Sequence, residues 1–474
     1  MQHTVRTVIY EINTATYLHD LSMRMGSSVT LGTIPDEIWD EIAGYGTNTV
    51  WFMGVWRRSP IARAMAVKEP FLRDALPDVK RADVLGSAYS VNEYVVDEHF
   101  GGNDGLRVAR AKLKERGLRL MLDYVPNHVA IDHPFTRHNP EYLLPGTAQE
   151  LAEHPDAFVQ TPSGIVAKAK DPTFPPWSDV VQLNAFSLPA RHAFTDTIKH
   201  IASMCDAIRC DMAMLMMNDV FAKTWGKRAG PVPRKDFWPQ IIESVKSDYP
   251  DFQFLAEVYW KREQQLIKQG FDMCYDKEFY DELLLAQAAS IRRRLEKAIR
   301  LQKPLLHFIE NHDEERAAKT MQPPHHKAAA IIAAFAPGAL LLHEGQFEGR
   351  AQRVPVQLSR RPHEDIDEDT QSFYSGLTSV LKRVSLDHAR FSMIEARTHF
   401  LRRKSPHVIA WQWRTSLGKT LVVVNLSPQI NKVYLAIPGR TRWQQILGSD
   451  RLELQSSGDA IDLKPWQYSI LRTK

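Results

Sequence analysis

Cysteine is scarce in this chain: Cys205, Cys210 and Cys274 are the only three in 474 residues. So few, and an odd number, exclude a disulfide framework as the basis of the fold. Cys205 and Cys210 are expected to be small core residues rather than metal ligands. Long apolar runs are also missing, and none approaches the ~20 residues of a membrane-spanning helix. The start, MQHTVRTVIYEINTATYL, lacks an apolar signal core followed by a small-residue cleavage site, so a cytoplasmic location is expected. Charge of one sign is not in excess either. A formal net charge of +4 over this length speaks against nucleic acid as a partner. The densest basic cluster, Arg292-Arg293-Arg294, sits in helical periodicity with Glu296 beside it and reads as a solvated helix face. The acidic stretch HEDIDEDT at 363–370 reads as a solvated loop. No feature specifies an oligomeric state.

What is present is a large globular composition, 44% hydrophobic and 24% charged, enough for a barrel with an added domain or two. Four carboxylate-bearing segments stand in order: Asp123-Tyr-Val-Pro-Asn127-His128, Arg209-Cys210-Asp211, Ala256-Glu257-Val258 and Glu310-Asn311-His312-Asp313. Each closes a short apolar run of the kind that suits a strand buried on both faces. Helical stretches such as VARAKLKERG (108–117) and QQLIKQG (264–270) lie between them. Strand, polar tip and helix in repetition predict an α/β fold, a (β/α)8 TIM barrel, with its active site at the carboxyl ends of the strands.

The eight strands are read as VRTVIYEI, TNTVWFMGVW, LRLMLDYV, DAIRCDM, FQFLAEV, FDMCYD, LLHFIEN and GALLLHE. Barrel is expected over 1–128 and 186–395. A short insertion after strand three fills 129–185, irregular and rich in proline and histidine, and a stretch of that length is usually functional. From 396 to 474 apolar and polar residues alternate in THFLRRK, HVIAWQWR, KTLVVVNL and KVYLAI, with SP and PGR breaks. That pattern predicts a C-terminal antiparallel β-sandwich domain.

These segments resemble the α-amylase family, glycoside hydrolase family 13. Asp123, Asn127 and His128 match its first motif, Arg209 and Asp211 its second, Glu257 its third, and Asn311, His312 and Asp313 its fourth. GSAYSVNEY (86–94), VVQLN (180–184), LLLHEGQFEGR (340–350) and the early YEINTATYL (10–18) add to the likeness. The resemblance implies a retaining glycoside hydrolase acting on α-glucosidic bonds of malto-oligosaccharides or α-glucans. Asp211 fits the nucleophile and Glu257 the acid/base, two carboxyl groups about 5–5.5 Å apart. Arg209, two residues before Asp211 on one strand, is expected to point the same way and to lower the Asp211 pKa. Glu257, closing an apolar strand near a second carboxylate, is expected to have a raised pKa.

By resemblance Asp313 holds hydroxyls of the distorted sugar, His128 and His312 donate to them, and Tyr89 stacks on the ring. Asp123, Asn127 and Asn311 support the loops. Trp51, Trp56, Trp177, Trp225, Trp238 and Trp260 are candidate stacking surfaces. Two departures stand out. Met214 and Leu215 occupy places where many amylases carry a basic residue and a histidine, which suggests an apolar leaving-side wall. Members of the family often bind calcium through the residue matched by Asn127. Here the insertion offers only Asp132, Asp156, Asp171 and Asp179 beside it, few for a cation needing six or more oxygens. No cofactor and no tightly held calcium are therefore expected. Two other functions are weighed: a transglycosylase passing the same intermediate to a sugar or phosphate, and a non-catalytic carbohydrate-binding protein. The retained carboxylates and histidines argue against the second.

Overall fold

The structure is a computed structural model that describes residues 6–384, 386–398, 403–416, 418–437, 442–454 and 460–473. Eight parallel strands close a barrel: β1 (Val8–Asn13), β2 (Thr49–Met53), β3 (Arg119–Tyr124), β4 (Ala207–Cys210), β5 (Gln253–Ala256), β6 (Met273–Tyr275), β7 (Leu305–His307) and β8 (Ala339–His343). Each lies beside its sequence neighbours, and β1 closes on β8. All eight coincide with the apolar runs. Nearly every residue in them is buried, as expected for strands covered by side chains within and helices without.

The helices carry ordinary start signals. In Leu188–Met204, Ser187 accepts the Ala190 N–H and a proline stands in the first turn, so one orphan donor is capped and another is absent. Lys277–Leu284 is capped by Asp276, which accepts the Phe279 N–H. Pro323–Phe335 has hardly a polar face, and AAAIIAAF is buried throughout. It lies between the barrel and the C-terminal sheet, where Trp411 and Trp413 both donate to the Phe335 carbonyl at 2.9 and 2.8 Å.

The stretch after β3 is more regular than its composition suggested. His128–Ala130 pairs antiparallel with Val180–Gln182, and Phe158–Thr161 with Gly164–Ala167. Thr147 and Glu150 form a reciprocal cap on helix Ala148–Glu153. Val129, Leu143, Leu144, Val166, Val181 and Leu183 join the barrel's core. These strands are three or four residues long, too short to show as an alternating pattern.

The C-terminal part is a five-stranded sheet, in order Arg390–Ile394, Val408–Thr415, Gly418–Asn425, Tyr468–Thr473 and Trp443–Gly448. It faces a three-stranded sheet of Ala396–Thr398, Asn431–Leu435 and Ala460–Leu463. The first of these strands begins at Arg390, ahead of residue 396. Residues 399–402 of THFLRRK and the PGR break at 438–440 lie outside the described residues.

The basic cluster is not a solvated face. Arg292 reaches into the sheet, donating to the carbonyls of Ser405 and, at 2.8 Å, Val408. Arg294 pairs with Asp276, Glu278 and Glu282. Mixed charge beside a helix looked like solvation, but the partners come from elements distant in sequence. In 363–370, Asp367 caps the next helix and Glu364 accepts two backbone N–H groups. Among the described residues no helix is long and apolar enough to cross a membrane.

Candidate active site

The four segments converge at the carboxyl end of the barrel. Arg209 on β4 lies in register with Asp123 on β3 and Leu255 on β5. Asp211 directly follows β4, its N–H on the Tyr124 carbonyl, and Glu257 directly follows β5, its N–H on the Cys210 carbonyl. Neighbouring strand ends thus put the acids side by side. Between them stands the Arg209 guanidinium, with no solvent exposure. It contacts Asp211 at 2.7 Å and Glu257 at 2.8 Å, and lies 3.7 Å from both Asp123 and Asp313. The rings of Tyr89, Trp51 and Tyr275 surround it at 5.2, 5.4 and 5.8 Å. One buried cation shared among four acids keeps each from being an uncompensated charge.

Glu257 is fixed from both oxygens. Its Oε2 accepts the Met212 N–H at 2.7 Å and its Oε1 the Tyr259 hydroxyl at 2.8 Å. Met212 can point its N–H there because its backbone is left-handed, φ 42, which turns the chain sharply after Asp211. Burial pushes Glu257 up; Arg209 opposes, Asp211 and Asp313 add, and the pKa reaches about 7. Burial also raises Asp211, with Arg209 working against it. This reverses the expectation for Asp211, because desolvation of a carboxyl in this interior outweighs the adjacent guanidinium. Asp313 goes the other way. Burial would raise it, yet the His312 imidazolium and Arg209 bring it down to about 2. The three acids are therefore unequal, and Glu257 holds a proton most readily.

His312 owes its charge to a partner at the far end of the chain. Its Nδ1 meets Glu11 on β1, and its Nε2 lies 2.7 Å from the Tyr89 hydroxyl and 3.0 Å from Asp313. Burial disfavours the imidazolium, but Asp313 and Glu11 hold its pKa well above the ordinary value. His128 stands against Trp177, ring centroids 5.2 Å apart, and burial lowers it to about 4, so it is neutral. Asp123 accepts the Gly54 N–H at 2.8 Å. Asn311 accepts the N–H groups of Asp313 and Glu314, both at 2.9 Å, and so holds the turn that presents Asp313.

These groups line a cavity of about 720 Å³ that includes Tyr89, His128, Asp211, Glu257 and Asp313. Of the candidate tryptophans, only Trp177 and Trp260 line it. Trp51, Trp56 and Trp238 are buried in the core, and Trp225 lies under the Lys170 ammonium. Met214 and Leu215 are also buried, in the turn Ala213–Met216, and no apolar wall is formed by them; Met212 alone of that run reaches the cavity. Glu11, Tyr259 and Tyr275 were not singled out from the sequence. Glu11 left a trace there, a lone acid inside the apolar run VIYEI.

Several of the candidate calcium donors accept hydrogen bonds within the fold. The Asn127 side-chain oxygen accepts the Gln182 amide at 2.9 Å, and the same amide nitrogen reaches the Asn127 and Leu183 carbonyls. One Asp171 oxygen closes its own turn through Thr173 and Phe174, and Asp132 accepts from Ile61 and Asn92. Asp156 is exposed. Among the described residues no group of three or more His, Cys, Asp or Glu side chains is placed to hold a metal ion.

The whole fold is similar to solved amylase-type structures. An α-amylase from Geobacillus thermoleovorans complexed with acarbose superimposes with a TM-score of 0.68 at 17% identity, covering 99% of this chain and 98% of that one. A debranching enzyme from Nostoc punctiforme gives 0.69 at 14%, covering 99% and 100%. In sequence, the α-amylase MalA of Haloarcula japonica is 25% identical over 357 residues, 73% of this chain and 48% of its own length. An α-1,4-glucan:maltose-1-phosphate maltosyltransferase of Rhodospirillum rubrum is 25% identical over 237 residues, 50% of this chain and 30% of its own. The family model for the α-amylase catalytic domain matches residues 42–186. The chain is thus similar to the α-amylase family in part of its sequence and in its whole fold. It spans about half the length, or less, of these sequence relatives. In this fold the ends of β3, β4, β5 and β7 carry the four acid-bearing segments.

Proposed function

We propose that the chain is a retaining glycosidase acting on α-glucosidic bonds of malto-oligosaccharides or α-glucans. The observation that carries this is the Arg209 guanidinium held between Asp211 and Glu257 at 2.7 and 2.8 Å. Two carboxylates brought together by one cation suit the ~5–5.5 Å separation of retaining chemistry rather than the ~6.5–9.5 Å of inversion. Glu257, with its pKa of about 7, gives its proton to the glycosidic oxygen as that bond breaks. Asp211 attacks the anomeric carbon and forms a glycosyl ester. Glu257, now a carboxylate, takes a proton from water, whose oxygen displaces Asp211 from the sugar. Asp313, anionic beside the His312 imidazolium, accepts hydroxyls of the sugar and favours its oxocarbenium-like transition state. His128 and His312 act at the same sugar, and Tyr89 stacks on it. The buried free thiols of Cys205, Cys210 and Cys274 support a reducing, cytoplasmic setting.

A second reading passes the same ester to an acceptor sugar, and likeness to relatives named as maltosyltransferases supports it. The test is a product profile on maltose, maltoheptaose, trehalose, sucrose, pullulan and glycogen, with Asp211→Asn alongside. Retained-configuration products, lost in the variant by at least about a thousandfold, roughly 4 kcal/mol of barrier, are expected. A loss below about tenfold would remove Asp211 from the role of nucleophile.

A further inference from the structure

With Met214 and Leu215 buried, the leaving side of the cavity needs another source of contacts. The proton donor marks that side, because the group protonated by Glu257 departs past it. Tyr259 holds Glu257, and the next residue, Trp260, is a large aromatic at 41% exposure that lines the cavity. Trp260 and Lys261 both have left-handed backbones, φ 60 and 61, a strain that non-glycine residues keep mainly where function requires it. Lys261 then pairs with Glu278 at 3.0 Å. That contact ties the loop after β5 to helix Lys277–Leu284, whose first residue also lines the cavity. The Lys277 ammonium is held by Asp281 at 2.6 Å and Glu314 at 3.3 Å, above the Tyr280 ring. It has three N–H donors and two carboxylate partners, which leaves one for a ligand.

The charge lining the cavity is one-sided. Asp171, Asp179, Asp211, Glu257, Asp281 and Asp313 line the cavity against Lys277, its single lysine or arginine. Lys277 is itself neutralised by two acids, so no net positive charge is available for an anion.

We propose that Trp260 and the Lys277–Asp281 pair form the leaving-group and acceptor subsite, and that it takes a neutral, hydroxyl-rich sugar and rejects phosphate and phosphorylated sugars. This deepens the function proposed above and rests on it. The indole face covers the apolar face of the sugar. The free Lys277 N–H donates to one hydroxyl, and Asp281 accepts from another.

The test supplies the wild-type protein with maltoheptaose as donor and with glucose, glucose 1-phosphate or inorganic phosphate as acceptor, and follows each product. Glucose is expected to compete with water, and the two phosphates to yield no transfer product. Lys277→Met should raise the half-saturating glucose concentration about tenfold, and Trp260→Ala about fivefold. Because Lys277→Met leaves two carboxylates unpaired, its melting temperature is measured too. Trp260→Ala, at an exposed ring, provides the variant whose fold is not at risk. Efficient transfer to phosphate overturns the inference, and so does unchanged acceptor saturation in Trp260→Ala. Absence of any α-glucan turnover by the wild type overturns the proposed function itself, a distinguishable result.

Discussion

Replacing Glu257 with Gln removes the dissociable proton while keeping the shape of the side chain. The buried site moves this carboxyl from its ordinary 4.5 to about 7. At pH 7 about half of the molecules then carry the proton, against about 0.3% for an unshifted glutamate, a roughly 150-fold gain in competent acid. The difference of about 2.5 pH units corresponds to about 3.4 kcal/mol. A general acid works protonated, so wild-type kcat/KM on maltoheptaose should fall as pH rises through about 7. In Glu257→Gln that limb should vanish and the rate at pH 7 drop by at least about a hundredfold. An aryl glucoside with an acidic phenol needs little protonation, so its first step should survive far better. The assay is a pair of pH–rate profiles on the two substrates, with a burst measurement of phenol release. Equal losses on both substrates, or a limb that persists in the variant, would refute the assignment of Glu257 as proton donor.

Met214→Lys with Leu215→His should lower the melting temperature, because both places are buried, and unpaired polar groups there cost roughly 3 kcal/mol or more. A product ratio that shifts without loss of stability would show instead that they face the substrate. Glu11→Gln removes one of two carboxylates that keep His312 charged. Its imidazole should then titrate at a lower pH in histidine NMR spectra; an unmoved titration would discount Glu11. Arg292→Ala should cost about 1–3 kcal/mol in denaturant unfolding by cutting its two carbonyl contacts to the C-terminal sheet. A change below about 0.5 kcal/mol, the range of an ordinary surface substitution, would restore the solvated-face reading.

All eight barrel strands were legible in the sequence because a strand buried on both faces needs an unbroken apolar run, and that requirement is local. The positions of Asp211, Glu257 and Asp313 followed for the same reason: each acid stands just past such a run, and strand ends of a barrel meet. What lay beyond the sequence depends on neighbours distant in the chain. Glu11 reaches His312 across 301 residues, and only closure of β1 against β8 brings them together. Arg292 looked solvated until the C-terminal sheet supplied its carbonyls. Met214 and Leu215 looked like a cleft wall, but the left-handed turn at Met212 carries them inward. The sign of the Asp211 shift likewise depended on burial, a sum over every surrounding atom, whereas the adjacent Arg209 was visible in the sequence. Local patterns determined where strands and acids stand; packing decided which charges are shared, which rings meet the cavity and which carboxyl keeps its proton.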